Sequence, residues 1–363
     1  MSYATQKLRD ISVIKTGKLD SNAAVENGAY PFFTCDPQTL RINIWAYDTE
    51  AVLLAGNNAS GNYTAKYYRG KFNAYQRTYI IEAADSERLS VRFLCYAINQ
   101  QLRLLKTMSS GSTTKFLTIR MLHNLDIPCP EIEVQDRIVN VLGTIDDLIE
   151  NNQKQIKLLE EAAQRLYKEW FVDLRFLGYE YTPIVDGVPE GWKKGTLGDI
   201  SLFKRGKTIT KAQVLDGDVP VVAGGIEPAY YHNKSNTVAP VITVSGSGAN
   251  AGFTRLYNVD VFASDCSFID SNSTPFLFFV YCFLKANAMK LDSLQKGSAQ
   301  PHVYAKDLNA LVLSVPTEGV LTVFCDIVFP YFERIRLLQR ENEIAAEARD
   351  RLLPKLISGE IEV

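Results

Sequence analysis

The sequence predicts an α/β (α+β) chain built from two similar globular domains, separated by two long helices that pair as an antiparallel coiled coil with a pseudo-two-fold relation. Three observations carry this. The chain repeats itself, each half holds short strand-like apolar runs, and each half ends in a long helical stretch. The repeat comes first. "LRDIS" (8–12) returns as "LGDIS" (197–201), 189 residues later. At the same shift "TGK" (16–18) meets "RGK" (205–207) and "GAYPFF" (28–33) meets "GDVPVV" (217–222). "VLLAG" (52–56) faces "VITVSG" (241–246) with one residue of slippage. "SSGSTTKFLTIRMLHNLDIPCP" (109–130) meets "QKGSAQPHVYAKDLNALVLSVP" (295–316) at a shift of 186.

The first domain spans 1–130. "AVLLAG" and "RTYIIEA" read as strands bounded by Gly, Asn and Asp, and 91–105 reads as a helix. A spacer helix follows over 131–176. Ile138, Leu142, Ile145, Ile149, Asn152, Ile156, Leu159, Ala163, Leu166 and Trp170 are spaced alternately four and three apart, a heptad seam. At about 1.5 Å per residue the seam from Ile138 to Trp170 is roughly 50 Å long. Asn152 is the polar seam residue that would set register at a cost in stability. The linker and second domain occupy 177–316, with "PVITVSG" and "VDVFAS" as strands and 276–291 as a helix. The last segment, 317–363, repeats the spacer. Its seam runs through Phe324, Val328, Tyr331, Ile335, Leu338, Asn342, Ala345, Arg349, Leu352 and Leu356. Pro330 should kink this helix and Pro354 should end or bend it.

Composition narrows the class. The 363 residues are 46% hydrophobic and 22% charged, ordinary for a soluble globular protein. The most apolar run, "PFLFFVYCFL" (275–284), is too short to span a bilayer and reads as a buried helix or strand. The N-terminus lacks the apolar core of a secretion signal. The six cysteines are scattered without a C-x-x-C, as expected of reduced, mostly buried thiols in the cytoplasm. The three histidines have no metal-ligand spacing. A net charge of -2 excludes a generic polycation, so any nucleic-acid binding rests on local basic patches or on a partner.

In this order the strings resemble the specificity subunit of type I restriction-modification systems. "LGDIS" resembles the opening of a target-recognition domain in that family. "YKEWFVDLRF" (167–176) resembles the end of its central helix, and "VPEGWKKGTLGDI" (188–200) the entry to its second recognition domain. "RLLPKLISGEIEV" (351–363) resembles its C-terminus. The resemblance covers essentially the whole chain. It implies that each domain reads one half of a split, asymmetric DNA sequence while the helices set the distance between them. The implied partners are double-stranded DNA, two adenine methyltransferase subunits and motor-endonuclease restriction subunits. The chain itself would be non-catalytic and hold no cofactor. S-adenosylmethionine would belong to the methyltransferase, and ATP with Mg to the restriction subunit. One B-DNA turn is about 34 Å, so a spacer tens of ångströms long has the right scale. The acidic balance implies that much of the phosphate contact comes from the methyltransferase.

Base reading needs hydrogen-bonding side chains on loops, with cations anchoring phosphates. In the first half "GNNASGNYTAKYYRGK" offers Asn57, Asn58, Asn62 and Tyr63 for bases, and Lys66, Arg69 and Lys71 for phosphates. The same Asn and Gly residues also suit tight turns. A second candidate loop carries Ser112, Thr113, Thr114 and Lys115. Its counterpart carries Lys296, Ser298, Gln300 and His302. A structural turn fits both loops equally. In the second half Tyr230, Tyr231, His232, Asn233 and Lys234 combine aromatics with a cation, which also suits a half-buried loop. "VSGSGANAG" (244–252) looks like a dinucleotide loop, but the strand-like "FTRLYNVDVF" follows it where a helix is required. A tight hairpin presenting Ser247 and Asn250 towards DNA is the better reading. Residues Ile138, Leu142, Ile145, Ile149, Asn152, Ile156, Leu159, Leu166, Ile335, Leu338 and Leu352 form the helix-pairing seam. Two other functions fit the sequence less well. The chain lacks the N/D-P-P-Y/F string that a self-contained adenine methyltransferase needs for the methylated amine, and a bivalent protein scaffold without DNA contact is the alternative.

Overall fold

The computed structural model describes residues 3–58, 62–108, 115–295 and 301–363. The chain divides into two compact units. One comprises residues 1–151 with 341–363, the other residues 152–340.

In the first unit a six-stranded sheet runs in the order Ser12–Thr16, Thr78–Ala83, Tyr47–Ala55, Ala65–Ala74, Tyr30–Phe33, Leu40–Ile42. Tyr47–Ala55 ends in a run of five buried residues because it is central, flanked by strands on both edges. The helix Val91–Gln100 covers the sheet, its N-terminus capped by Ser90 Oγ, which accepts the Phe93 N–H at 3.4 Å. Thr5–Lys7 pairs antiparallel with Asp126–Pro128, so the globular domain is closed where the chain enters and leaves it.

The second unit repeats this plan. Lys204–Arg205, Cys266–Asp270, Val241–Ser245 and Thr254–Tyr257 form one sheet. Tyr230–His232, Val219–Val222 and Phe262–Ala263 form another. The single strand Ala65–Ala74 of the first unit is here two pieces, interrupted at residues 258–261. Lys193–Thr196 pairs with Val312–Val315 in the same entry-and-exit role. The helical stretches at 91–105 and 276–291 are each divided. Val91–Gln100 is followed by Leu102–Met108, and Leu277–Ala286 by Ala288–Ser293. The breaks fall at Gln101 and Asn287, 186 residues apart, so even this interruption is duplicated.

The "SGSGANAG" stretch is a hairpin. Val241–Ser245 pairs with Thr254–Tyr257 around a 3-10 turn at Gly248–Asn250. All six cysteines are unbridged, and four are buried.

The long helices are Ile132–Tyr167 and Glu318–Ser358. In the first unit they run antiparallel: Arg137 Nε donates to the Val363 carbonyl at 2.6 Å and Arg349 pairs with Asp146 at 3.0 Å. Ile138 and Leu142 share a core there with Leu356 and Ile357, and Leu352 packs against it. In the second unit Tyr167, Trp170 and Phe171 meet Phe324 with ring centroids 6.3, 5.9 and 4.9 Å apart. Ile156, Leu159, Leu166 and Ile335 belong to the same apolar body. Of the predicted seam, Asn152 and Leu338 are buried, and Ile145 and Ile149 half-buried. These helices pack on each other and on the globular domains at once. Neither proline stops the second helix, which runs on to Ser358, so Pro354 does not end it. A proline removes one backbone donor. Pro330 is exposed, so water can satisfy the carbonyl left over.

Candidate functional site

Each unit gathers a cluster of loops at the end of its central strand, and glycines make the gathering possible. Gly17 and Gly206 occupy one place in the repeat. A Cβ on Gly17 would lie 2.1 Å from the Ala74 carbonyl oxygen, and one on Gly206 would lie 2.2 Å from that of Ser264. Their N–H groups donate to the carbonyls of Thr78 at 3.1 Å and Cys266 at 2.8 Å. Gly56 and Gly246 follow the central strands. They donate to the carbonyls of Arg77 and Asp265, and their own carbonyls accept from Leu117 N–H at 2.8 Å and Val303 N–H at 3.1 Å. Asn57 and Asn58 then pair with Phe116 and Lys115, while Ser247 bridges to His302 in the second unit.

On this shared backbone the side chains differ. In the first unit the Asn58 carboxamide oxygen accepts from the Asn62 N–H at 3.2 Å, and Asn62 accepts from Lys106 Nζ at 2.7 Å. Asn57 Oδ1 is enclosed without a hydrogen-bond partner among the described residues. Phe116 is exposed, and Lys115 is half-buried. In the second unit Ser247 Oγ donates to the Asp265 carboxylate. His302 stacks on Tyr304, with ring centroids 5.8 Å apart and planes at 11°. Arg205, Asp265, Ser267, His302 and Tyr304 line a cavity of about 190 Å³. Asn250 sits on the neighbouring turn, half-buried, its carbonyl accepting from Phe253 N–H at 2.9 Å.

A family model described as the type I restriction modification DNA specificity domain matches the chain twice, at residues 2–161 and 189–346. The chain belongs to this family. Among similar proteins is a type I restriction enzyme specificity subunit of Methanocaldococcus jannaschii. It is 29% identical over 290 residues, covering 71% of this chain and 66% of that protein. One from Escherichia coli is 34% identical over 165 residues, covering 46% and 36%. The matched stretches thus span from about a third to about two thirds of these relatives. A crystal structure of the type I restriction-modification S subunit from M. genitalium superposes with a TM-score of 0.63 at 20% identity, covering 98% of this chain and 96% of that one. That likeness establishes the fold of two domains joined by helices.

Within this specificity fold the predicted residues separate. Asn57, Asn58, Asn62 and Lys115 are brought together in the first cluster, and Ser247, Asn250 and His302 in the second. Tyr63 is a correction. It is 5% exposed and packs in the core, where its ring is worth more than its hydroxyl. His232 is another correction. It is buried, its Nδ1 accepts from Leu215 N–H at 3.0 Å, and it meets Phe262 edge-on. Lys66 is tied to its own fold, donating to the Asp36 carbonyl at 3.3 Å and to Thr39 Oγ1 at 3.1 Å. Burial holds its ammonium below the ordinary lysine value, against the pull of Asp36. Arg255 does the same work in the repeat, donating to the Ile226 carbonyl at 2.9 Å.

Arg69 and Lys71 are exposed but lie far along the strand from Asn57. Lys71, paired opposite Asp48, stands roughly 20 Å beyond Ala65 at about 3.3 Å per residue. It sits 4.7 Å above the Trp45 ring. Tyr230 and Tyr231 are exposed on an edge strand running away from the second cluster, followed by exposed Asn233 and Lys234. Ser112, Thr113, Thr114, Lys296, Ser298 and Gln300 lie outside the described residues. Sequence reasoning missed Lys106, Phe116 and Tyr304, which lie outside the polar strings that drew attention. It also missed Arg77 and Asp265. The signal for these two was present, because each directly precedes the strand that pairs with the central one.

No helix among the described residues is long and apolar enough to cross a membrane.

Proposed function

We propose that this chain is the non-catalytic specificity subunit of a type I restriction-modification assembly in the cytoplasm. It reads a bipartite, asymmetric DNA target, one half-site per globular domain. Adenine-N6 methyltransferase subunits, expected in two copies, and restriction subunits assemble on it. Those partners hold S-adenosylmethionine and ATP with Mg, and this chain needs no cofactor of its own.

One observation carries the reading: the same backbone supports both loop clusters, but the side chains on it differ. A catalytic or purely structural duplication would keep its working groups. A pair of readers keeps the scaffold and varies what faces the bases. Specificity then comes from roughly 1–3 kcal/mol for each good bidentate base contact, summed over two half-sites. The net charge of -2 leaves most phosphate neutralisation to the partner subunits.

The test is a methylome. Deleting the gene in its host and comparing N6-methyladenine genome-wide should remove one bipartite motif with a fixed gap. An unchanged methylome in a host whose methyltransferase is active would overturn DNA reading in favour of a protein scaffold.

A further inference from the structure

In each loop cluster one residue has a fixed backbone task and a side chain of opposite charge. Gly56 donates to the Arg77 carbonyl at 2.8 Å, and Gly246 to the Asp265 carbonyl at 3.3 Å. The neighbouring carbonyls, of Thr78 and Cys266, take the N–H groups of Gly17 and Gly206. Arg77 and Asp265 therefore occupy the same point of the fold. A Cβ on Gly56 would lie 2.4 Å from the Arg77 carbonyl oxygen, so this close approach is held by backbone alone. It places no demand on the side chain that follows.

Neither side chain is fully taken up by the fold: Arg77 has no ion-pair partner among the described residues, and Asp265 commits one carboxylate oxygen. Arg77 is exposed. Asp265 is half-buried beside the cavity lined by Arg205, His302 and Tyr304. One of its carboxylate oxygens accepts the Ser247 hydroxyl, which orients the group and leaves the other oxygen for a ligand donor.

We infer that this is a base-discriminating position in both half-sites, with opposite hydrogen-bond polarity: Arg77 selects guanine and Asp265 selects cytosine. The inference rests on the DNA-reading function proposed above. Guanine offers two major-groove acceptors, O6 and N7, matched by the guanidinium fork. Cytosine offers its N4 amino donor to a carboxylate. Adenine places the N7 lone pair beside its amino group and guanine places two acceptors there, and both repel a carboxylate. One scaffold thus reads two polarities through a single substitution of charge.

The experiment replaces the gene in its host with Arg77→Gln or Asp265→Asn and reads the methylated motif. Each variant should relax one base position in one half only, and the two should affect different halves. Discrimination there should fall roughly 5- to 150-fold. Asp265→Asn should also admit adenine, because a carboxamide donates to N7 and accepts from N6. A structural role cannot produce that gain. Asp265→Glu keeps the acceptor and should retain the parent base; a changed base in that variant would overturn the inference. So would an intact motif methylated uniformly more weakly, the signature of phosphate contact. If the unaltered chain directs no motif, the DNA-reading proposal fails and this inference with it. A clear parental motif that neither variant changes overturns this inference alone.

Discussion

The two loop clusters share their glycines and differ in nearly every exposed polar group. Gly17 with Gly206, and Gly56 with Gly246, make equivalent hydrogen bonds in the two units. Around them stand Asn57, Arg77 and Phe116 in one unit, and Ser247, Asp265 and His302 in the other. The lesson is one of division: backbone contacts fix where the loops go, and side chains are left to vary. The helices show the opposite pattern of tolerance. The first unit closes its core with aliphatic Leu356 and Ile357, the second with the aromatic group around Phe324, and both are buried.

The comparison breaks most strongly at the second unit's aromatic core. Phe324→Ala should destabilise that unit by about 3–5 kcal/mol, measured by chemical denaturation. A loss under about 1 kcal/mol would show that the core can collapse onto the cavity. Next come the shared glycines. Gly17→Val and Gly206→Val each drive a side chain into a carbonyl and should cost about 1–3 kcal/mol or more. Thermal unfolding should give similar losses for both, and a large inequality would mean that the equivalence is only topological.

Smaller effects sharpen the contrast between scaffold cations and surface cations. Lys66→Met should loosen the 36–39 loop and raise its hydrogen exchange, with little change in the salt dependence of DNA binding by the assembled complex. Arg69→Ala should leave stability within about 0.5 kcal/mol. If Arg69 meets a phosphate, the salt slope should fall by about 1; an unchanged slope removes it from the interface.

The smallest effect concerns the start of the second domain. Asp199 accepts from the Thr196 N–H at 2.7 Å and Oγ1 at 3.1 Å, and these bonds hold its carboxyl below the ordinary value. A depressed carboxyl stabilises the fold above its unfolded pKa, about 3.9, and that contribution fades as pH falls through the folded value. Asp199→Asn should flatten this limb of a pH-stability curve. An unaltered acid limb would mean that the cap contributes nothing.

Much of the architecture was legible because duplication and heptad spacing are long-range signals that single substitutions do not erase. The alternation from Ile138 to Trp170 survives any local ambiguity, and so does the 189-residue echo of T-G-K in R-G-K. The loop sites were legible only as addresses. Asn57 and Ser247 stand where a polar string suggested. Tyr63 and His232 belong to strings of the same kind, yet Tyr63 packs in the apolar core and His232 is held by Leu215 and Phe262. Composition cannot distinguish these cases, because burial depends on which strand edge covers the residue. Arg77 escaped notice because it stands alone directly before a strand, outside the polar strings, although that position was itself the signal. Pro354 misled because a proline's cost depends on what else holds the helix, and Leu356 and Ile357 anchor the turn beyond it.

Leu356 and Ile357 also bear on how the chain is made. The first unit draws its core from residues 1–151 and from 341–363, with the whole second unit between them. At about 5–20 residues per second, synthesis of that interval lasts roughly 10–40 s. Throughout it, the apolar face around Ile138 and Leu142 has no partner helix to cover it. The second unit, continuous in sequence, can complete itself first. The order of birth and the order of closure are therefore reversed, and a ribosome that stalls late leaves the older half exposed.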